Sequence, residues 1–522
     1  MPDWILLLPI VFPILGALAL TLLLPRVKLD ARQPLTIGLL VVEIALVLLN
    51  IAPGSHRWVV SAWERVNFTL ALQMDGVTQL VALTMLVLLL ARELVAPSRL
   101  DARALLVLAA ALLFAAADGV PMLLLAWTLL DLALFGWQWA RDVERVNALR
   151  RLAIGLLMAL MFFAGALTAR TESGATLLAL ALWARLGLFP FHALLPMHDA
   201  DEFDVWMARG IPLLAASNAW LHWNTFQITV PYTLIGVLAG TNLMVTALWV
   251  WRASDIVRAF SIGARHAFAL VPLTLAFGGE AGLALALWQT LGIAFALALS
   301  DIAQRWRAEE HHAYARLGGW LAVGALAGLP LTPAFLGRLG LYVALTESGE
   351  GLLLAIAFVT TLSVYAPVWH WTRALKGSET RAPARIELAG LSIALVAFAA
   401  LAFAPMLFAP ALGISESAER ALDRVIRTNN APGVLLGALV LMVPLVGAYF
   451  LRAFAANRPG ARSLVARFAR IGDLEWLERA AIRIGARVSV VARDAFTLTE
   501  ENPTVWILFA ALWIAIFIAM AR

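Results

Sequence analysis

Apolar runs of about twenty residues recur along the whole chain, separated by short polar stretches. A helix of roughly 20 apolar residues is long enough to cross the hydrocarbon core of a bilayer. Runs at 4–24, 35–52, 74–92, 102–118, 120–140, 150–168, 174–194, 210–230, 233–251, 264–280, 281–303, 317–346, 352–372, 386–411, 432–454 and 503–521 predict about sixteen spans. The pattern is that of an all-α integral membrane protein. Gly278-Gly279-Glu280 marks a tight turn between two adjoining spans. Before the last run, Leu464, Phe468, Ile471, Leu474, Leu477 and Ile484 recur at helical spacing with arginines between them. This predicts a basic amphipathic helix over 461–500, lying on anionic lipid or strapped across neighbouring subunits.

Composition supports the membrane reading. Of 522 residues, 62% are hydrophobic and 14% charged, against about 25% charged in a soluble domain. The absence of cysteine excludes a disulfide framework, a thiolate nucleophile and cysteine metal ligation. The net charge of +5 comes mostly from arginine, Lys28 and Lys376 being the only lysines. The basic residues fall in alternate loops (Arg26 and Arg32, Arg99 and Arg103, Arg141 and Arg145, Arg252 and Arg258, Arg305 and Arg307, Arg373 and Arg381), whereas Asp118, Glu280, Glu347 and Glu350 fall in the others. Only the seventh loop, His198 to Glu202, is acidic against the pattern. The excess is therefore a topology signal, not a nucleic-acid signature: basic loops and the amphipathic helix face the cytoplasm, and both termini face outside. The first run follows Asp3 with no basic residue before it, which predicts a retained span and not a cleaved signal peptide.

Two spans are interrupted. The seventh reads Trp183-Ala184-Arg185-Leu186-Gly187-Leu188-Phe189-Pro190, and the twelfth Gly328-Leu329-Pro330-Leu331-Thr332-Pro333 with Arg338 beyond. A break frees backbone groups that lipid cannot satisfy, so it belongs where protein or a water-filled cavity supplies partners. Interrupted helices at matching positions point to a transporter's ion site. An arginine at bilayer depth costs at least about 2.5–3.5 kcal/mol unless paired or hydrated. The competing reading is two packing kinks with snorkelling arginines.

At these segments the sequence resembles the antiporter-like subunits of respiratory complex I (the L, M and N subunits) and their relatives in multi-subunit cation/proton antiporters, membrane-bound hydrogenases and the bacterial inorganic-carbon uptake complex. Arg185 stands seven residues before His192 of Pro190-Phe191-His192-Ala193-Leu194-Leu195-Pro196, where the family carries a lysine. Gly328, Pro330 and Phe335 match a second family pattern, with Arg338 at its basic position, and Met74-Asp75-Gly76 resembles the opening of the family's third span. The resemblance implies N-terminal spans over 1–101, two inverted five-helix repeats over 102–230 and 233–372, C-terminal spans over 386–454, the lateral helix, and a final span over 503–521. It implies about 14–16 transmembrane helices in the bacterial cytoplasmic membrane. The partners it implies are other subunits of a membrane complex, among them a soluble cytoplasmic one, together with lipid and protons or sodium.

The sequence departs from the family where proton relays sit. The span-five glutamate position is Thr128, with Asp131 one turn on; the span-eight basic position is Asn218, with His222 one turn on; the central lysine has no counterpart, leaving Gln289 and Thr290. Arginine stays charged in proteins, so Arg185 and Arg338 suit fixed countercharges better than relay stations. Asp131 either pairs with Arg185 or sits exposed near the following loop. Thr128 suits a helix-packing hydroxyl, and His192 and His222 are the titratable candidates. Candidate pathway residues are thus Asp131, Arg185, His192, Asn218, His222, Arg338, Thr128 and Gln289, with breaks at Pro190, Pro330 and Pro333. Arg265 and His266 are expected to line the cytoplasmic entrance, Glu280 and Asp301 to be solvated at helix ends, and Trp369 to Trp371 to join an interfacial aromatic belt. Glu309-Glu310-His311-His312 reads as a solvated turn, with metal binding as the lesser alternative. No catalytic constellation, redox cofactor site or zinc spacing is present in the sequence pattern. Three functions stay open: a proton- or cation-translocating subunit of an energy-coupled complex, a degenerate non-conducting scaffold subunit, and a standalone secondary transporter.

Overall fold

The computed structural model describes residues 3–23, 29–50, 56–63, 68–95, 101–140, 145–168, 171–191, 206–223, 230–253, 255–375, 383–403, 410, 413, 415–426 and 431–457. The expected lateral helix over 461–500 and the final span lie outside them.

The apolar runs fold as helices: α1 (Leu8–Leu23), α2 (Leu29–Leu49), α3 (Gly76–Val95), α4 (Ala102–Ala116), α5 (Val120–Trp139), α6 (Arg145–Leu167), α7 (Glu172–Arg185), α8 (Ile211–Leu221) and α9 (Tyr232–Trp249). There follow α10 (Ile256–Phe268), α11 (Leu270–Phe277), α12 (Gly282–Ala308), α13 (His312–Ala327), α14 (Pro333–Glu347), α15 (Gly351–Trp371), α16 (Arg385–Phe403), α17 (Ser415–Ile426) and α18 (Ala431–Asn457). Among the described residues, eight helical segments are long and apolar enough to cross a membrane, and four shorter apolar helices accompany them. The molecule is an all-α membrane protein. Two of the expected spans, the seventh and the twelfth, are divided by their breaks into shorter helices, α7 before the first break and α13 and α14 on either side of the second.

Polar residues at the loop ends start the helices. Asp75 Oδ1 accepts from the Thr78 amide at 2.9 Å, Asp101 Oδ1 from Ala104 at 2.8 Å, Thr171 Oγ1 from Gly174 at 3.1 Å and Asp255 Oδ1 from Arg258 at 2.8 Å. Each satisfies one of the amides that a helix N-terminus leaves without an internal partner. The turn at Gly278-Gly279-Glu280 is present, with Gly279 at φ +53°.

The second and third spans are joined through an antiparallel hairpin, β1 (His56–Trp63) and β2 (Phe68–Met74), which the span pattern does not predict. The short β3 (Ala117–Asp118) extends it, and Arg57 Nε reaches Asp118 Oδ2 at 2.6 Å. α17 is likewise absent from the span pattern. It lies against the α11–α12 turn, where Arg424 Nη1 donates to Gly278 O at 2.7 Å and Arg420 pairs with Glu280.

The core centres on α12, buried almost throughout and packed against α13, α14, α3, α10 and α11. Outer helices turn leucines outward: Leu15 and Leu18 on α1, Leu157 and Leu160 on α6. That distribution suits lipid or neighbouring subunits, not water.

Candidate functional site

The break in the seventh span follows Arg185, the last residue of α7. The backbone freed there is answered from within the protein. Asn242 Oδ1 on α9 accepts from the Phe189 amide at 2.9 Å, and Trp183 Nε1 donates to Phe189 O at 2.9 Å. Pro190 lies in this turn, and its peptide bond to Phe189 is cis. His192 lies outside the described residues.

Arg185 Nη1 donates to Asp131 Oδ1 of α5, and both side chains are buried. The alternative of an exposed Asp131 is set aside by tertiary packing: α6 covers it, and Gly155 gives its carboxylate room. A Cβ at Gly155 would collide with Asp131 Oδ2. The guanidinium also lies over two rings, 5.5 Å from Phe114 and 5.0 Å from Trp127, which adds cation–π attraction in a desolvated place. Thr128 bonds its own helix, Oγ1 to Leu124 O at 2.9 Å.

On the other side of Phe114 a cleft opens at the hairpin end of the bundle, lined by Gln73, Thr78, Phe114, Asp118, Asn218 and His222. Asn218 Nδ2 donates to Ala115 O at 2.8 Å and to Thr78 Oγ1 at 3.3 Å. His222 Nδ1 meets Asn218 O at 2.8 Å and His222 Nε2 meets Asp75 Oδ2 at 2.8 Å. A carbonyl and a carboxylate both accept, so this geometry calls for a proton on each ring nitrogen. Asp75 precedes the first turn of α3 and lies outside the span, which begins at Gly76 and not at the 74 of the apolar run. Burial alone would raise its carboxyl, but the hydrogen bond and charge of His222, with the Thr78 bonds, outweigh that and hold it at about 2.

The second break separates α13 from α14. Gly328 ends α13 in the left-handed region at φ +69°, Pro330 lies in the turn, and Pro333 opens α14. Arg338 is 1% exposed; its Nη2 donates to Leu326 O at 2.5 Å and to Tyr365 Oη at 2.9 Å, and the Tyr365 hydroxyl donates to Leu326 O at 2.7 Å. The arginine therefore caps the carbonyl end of the broken helix, where the helix dipole favours a cation. Gln289 Nε2 donates to Thr274 Oγ1 at 2.8 Å, buried on α12.

A series of polar and aromatic contacts lies between the two breaks. Asn242, bonded to Phe189, donates through Nδ2 to Arg265 O at 3.2 Å. The adjacent His266 places Nε2 3.1 Å from Thr360 Oγ1 and packs edge-on against Tyr365, with ring centroids 5.9 Å apart. Sequence reasoning omits Asn242, Thr360 and Tyr365; the available signal was a polar residue in mid-span.

Three expectations are corrected. Arg265 and His266 are buried and do not line an entrance, because Asp255 starts α10 at Ile256, well before the predicted span start. Asp301 is fully buried, because α12 runs on to Ala308; its Oδ2 accepts from Arg92 Nε at 2.9 Å, within a charged group that includes Glu93 and Arg305. Trp369 is packed inward, 4.9 Å from Trp320 by ring centroids, and is buried where an exposed ring is expected. Glu280, by contrast, is exposed at its helix end, as expected.

No family model and no curated protein matches the sequence. Solved structures do. A chain of the Mrp complex from Dietzia sp. DQ12-45-1b superposes with a TM-score of 0.72 at 17% identity, over 94% of this chain and 60% of that one. A chain of respiratory complex I from Thermus thermophilus gives 0.66 at 19% identity, over 81% and 99%. A chain of a membrane-bound sulfane sulfur reductase, an archaeal respiratory membrane complex, gives 0.66 at 18% identity, over 78% and 77%. The fold is therefore the one these complexes share, as the broken-helix motifs lead one to expect.

Proposed function

We propose that this chain is a proton- or cation-translocating subunit of a multi-subunit, energy-coupled membrane complex. The observation that carries this reading is the buried Asp131–Arg185 pair at the break of α7. Charges at membrane depth are expensive and are kept where a pathway uses them. Asp75 and His222 form the station at the cleft, since imidazole is the side chain that changes charge near neutral pH. Asn218 and Thr78 line the way to Phe114, behind which Arg185 holds Asp131. The carboxylate exchanges its partner between Arg185 and the passing ion, while Arg185 stays a fixed countercharge. Asn242, His266, Tyr365 and Arg338 form the second stage. Energy comes from partner subunits; the fold is shared with chains of complexes that are respiratory or Mrp by name. The bacterial cytoplasmic membrane, with the basic loops inside, is the setting this reading requires. A soluble cytoplasmic partner, as in an inorganic-carbon uptake complex, belongs to the same reading.

A non-conducting scaffold is the second reading. It is favoured by Arg338, whose bonds to Leu326 O and Tyr365 make it a structural cap, and by the bonding of Thr128 and Gln289 to their own surroundings. The test is to tag the full chain, isolate its assembly from the source membrane and reconstitute it in liposomes. Asp131→Asn is expected to cut ion flux at least tenfold with subunit composition unchanged. Undiminished flux would leave the scaffold reading standing, and full activity of the chain alone would exclude the subunit reading.

A further inference from the structure

Away from the pathway, three ligand-type side chains converge at the end of the bundle that carries the basic loops. Glu309 caps the C-terminus of α12, and His311 immediately precedes α13. The turn between them is tight: the amides of Glu309, Glu310 and His311 donate to Arg305 O, Arg307 O and Trp306 O at 3.0, 3.2 and 2.7 Å. Glu387 arrives from the first turn of α16, where its Oε2 accepts from the Ala384 amide at 2.9 Å and so is held in place. His311 Nε2 lies 3.4 Å from Glu387 Oε2 and 3.8 Å from Glu309 Oε2. All three ligand atoms fall within 4.8 Å of one another.

These spacings are long for hydrogen bonds between an imidazolium and carboxylates, which are about 2.7–2.9 Å. They suit ligands of a common ion: around a tetrahedral metal with ligands at roughly 2.0–2.2 Å, neighbouring donor atoms lie about 3.4 Å apart. The imidazole is 4% exposed with Nε2 within 4 Å of both carboxylates, while the Glu309 side chain is 45% exposed. An imidazole with two carboxylates selects a transition ion over magnesium or calcium, which prefer oxygen alone.

We propose that Glu309, His311 and Glu387 form a binding site for a divalent transition-metal ion of the zinc type. The ion ties the α12–α13 corner to α16. Because α16 packs on α3, whose Arg92 reaches Asp301 of α12, the site clamps the contact between α3 and α12. It does not depend on whether the chain conducts ions.

The test uses the full chain in detergent, stripped with a chelator and titrated with zinc chloride at neutral pH. The expected result is one zinc per chain by mass spectrometry after gel filtration, with a metal-dependent rise in Tm of several degrees. Glu387→Gln and His311→Ala are expected to weaken zinc binding at least tenfold. Glu309→Gln, at an exposed position, is expected to do so without lowering the metal-free Tm, which keeps the test decisive if the buried variants fold poorly. Zinc affinity and Tm response unchanged in Glu309→Gln and in any folded His311 or Glu387 variant would overturn the site. An equal response to magnesium would overturn the imidazole-ligated assignment.

Discussion

Asp131 shows how much a single membrane residue depends on its neighbours. A lone buried guanidinium is far costlier than a paired one, so Asp131→Ala is expected to destabilise the protein by about 3–5 kcal/mol. Thermal denaturation of the purified chain checks this, and replacing both residues together, Asp131→Leu with Arg185→Met, is expected to recover most of the loss. Asp75 gives a pH prediction. Its carboxyl is held down from the ordinary 3.8 to about 2, so its stabilising effect is fully present above about pH 4 and lost as the pH falls toward 2. The stability difference between wild type and Asp75→Asn, measured across an acid titration, is expected to shrink through that window. The sequence marks both aspartates, but nothing along the chain says that Asp131 faces Gly155 or that Asp75 lies beside His222, 147 positions away.

At the scale of elements, the two broken helices are legible from Pro190, Pro330 and Pro333, because proline lacks the amide that a helix needs. Their satisfaction is not legible. Asn242 serves one break and Tyr365 with Arg338 the other, each from a different helix. Gly328 is held by two constraints, its left-handed backbone and an Arg338 Cδ that would lie 2.6 Å from an added Cβ. Gly328→Ala is therefore expected to lower stability by about 1–3 kcal/mol, the range for overpacking, read as a fall in Tm. A Tm equal to that of wild type would show that the Arg338 stem moves aside freely. The hairpin and α17 escape the reading because hydropathy finds only what must be apolar throughout, and these elements lie at the end of the bundle.

For the whole molecule, loop charge predicts sidedness. Arg424 joins Gly278 O and pairs with Glu347 Oε2 at 3.2 Å, so the Glu347 turn and the α11–α12 turn share one face. Arg307 lies at the far end of the 27-residue α12, a helix about 40 Å long. The chain has no cysteine, so single cysteines report cleanly. Ser348→Cys is expected to react with an impermeant maleimide from outside intact cells, and Arg307→Cys only after the membrane is opened; the reverse result would invert the topology.

The sequence by itself determined the membrane class, most of the helices, the two breaks and the arginines beside them, because each follows from local rules: apolar length, proline chemistry and charge bias. The tertiary structure alone decided which charge meets which. Asp131 finds Arg185, Arg92 finds Asp301, Asn242 links one break toward the other, and Glu387 reaches His311. Such pairs join residues tens to hundreds of positions apart, and only the packing of helices around α12 sets their distances.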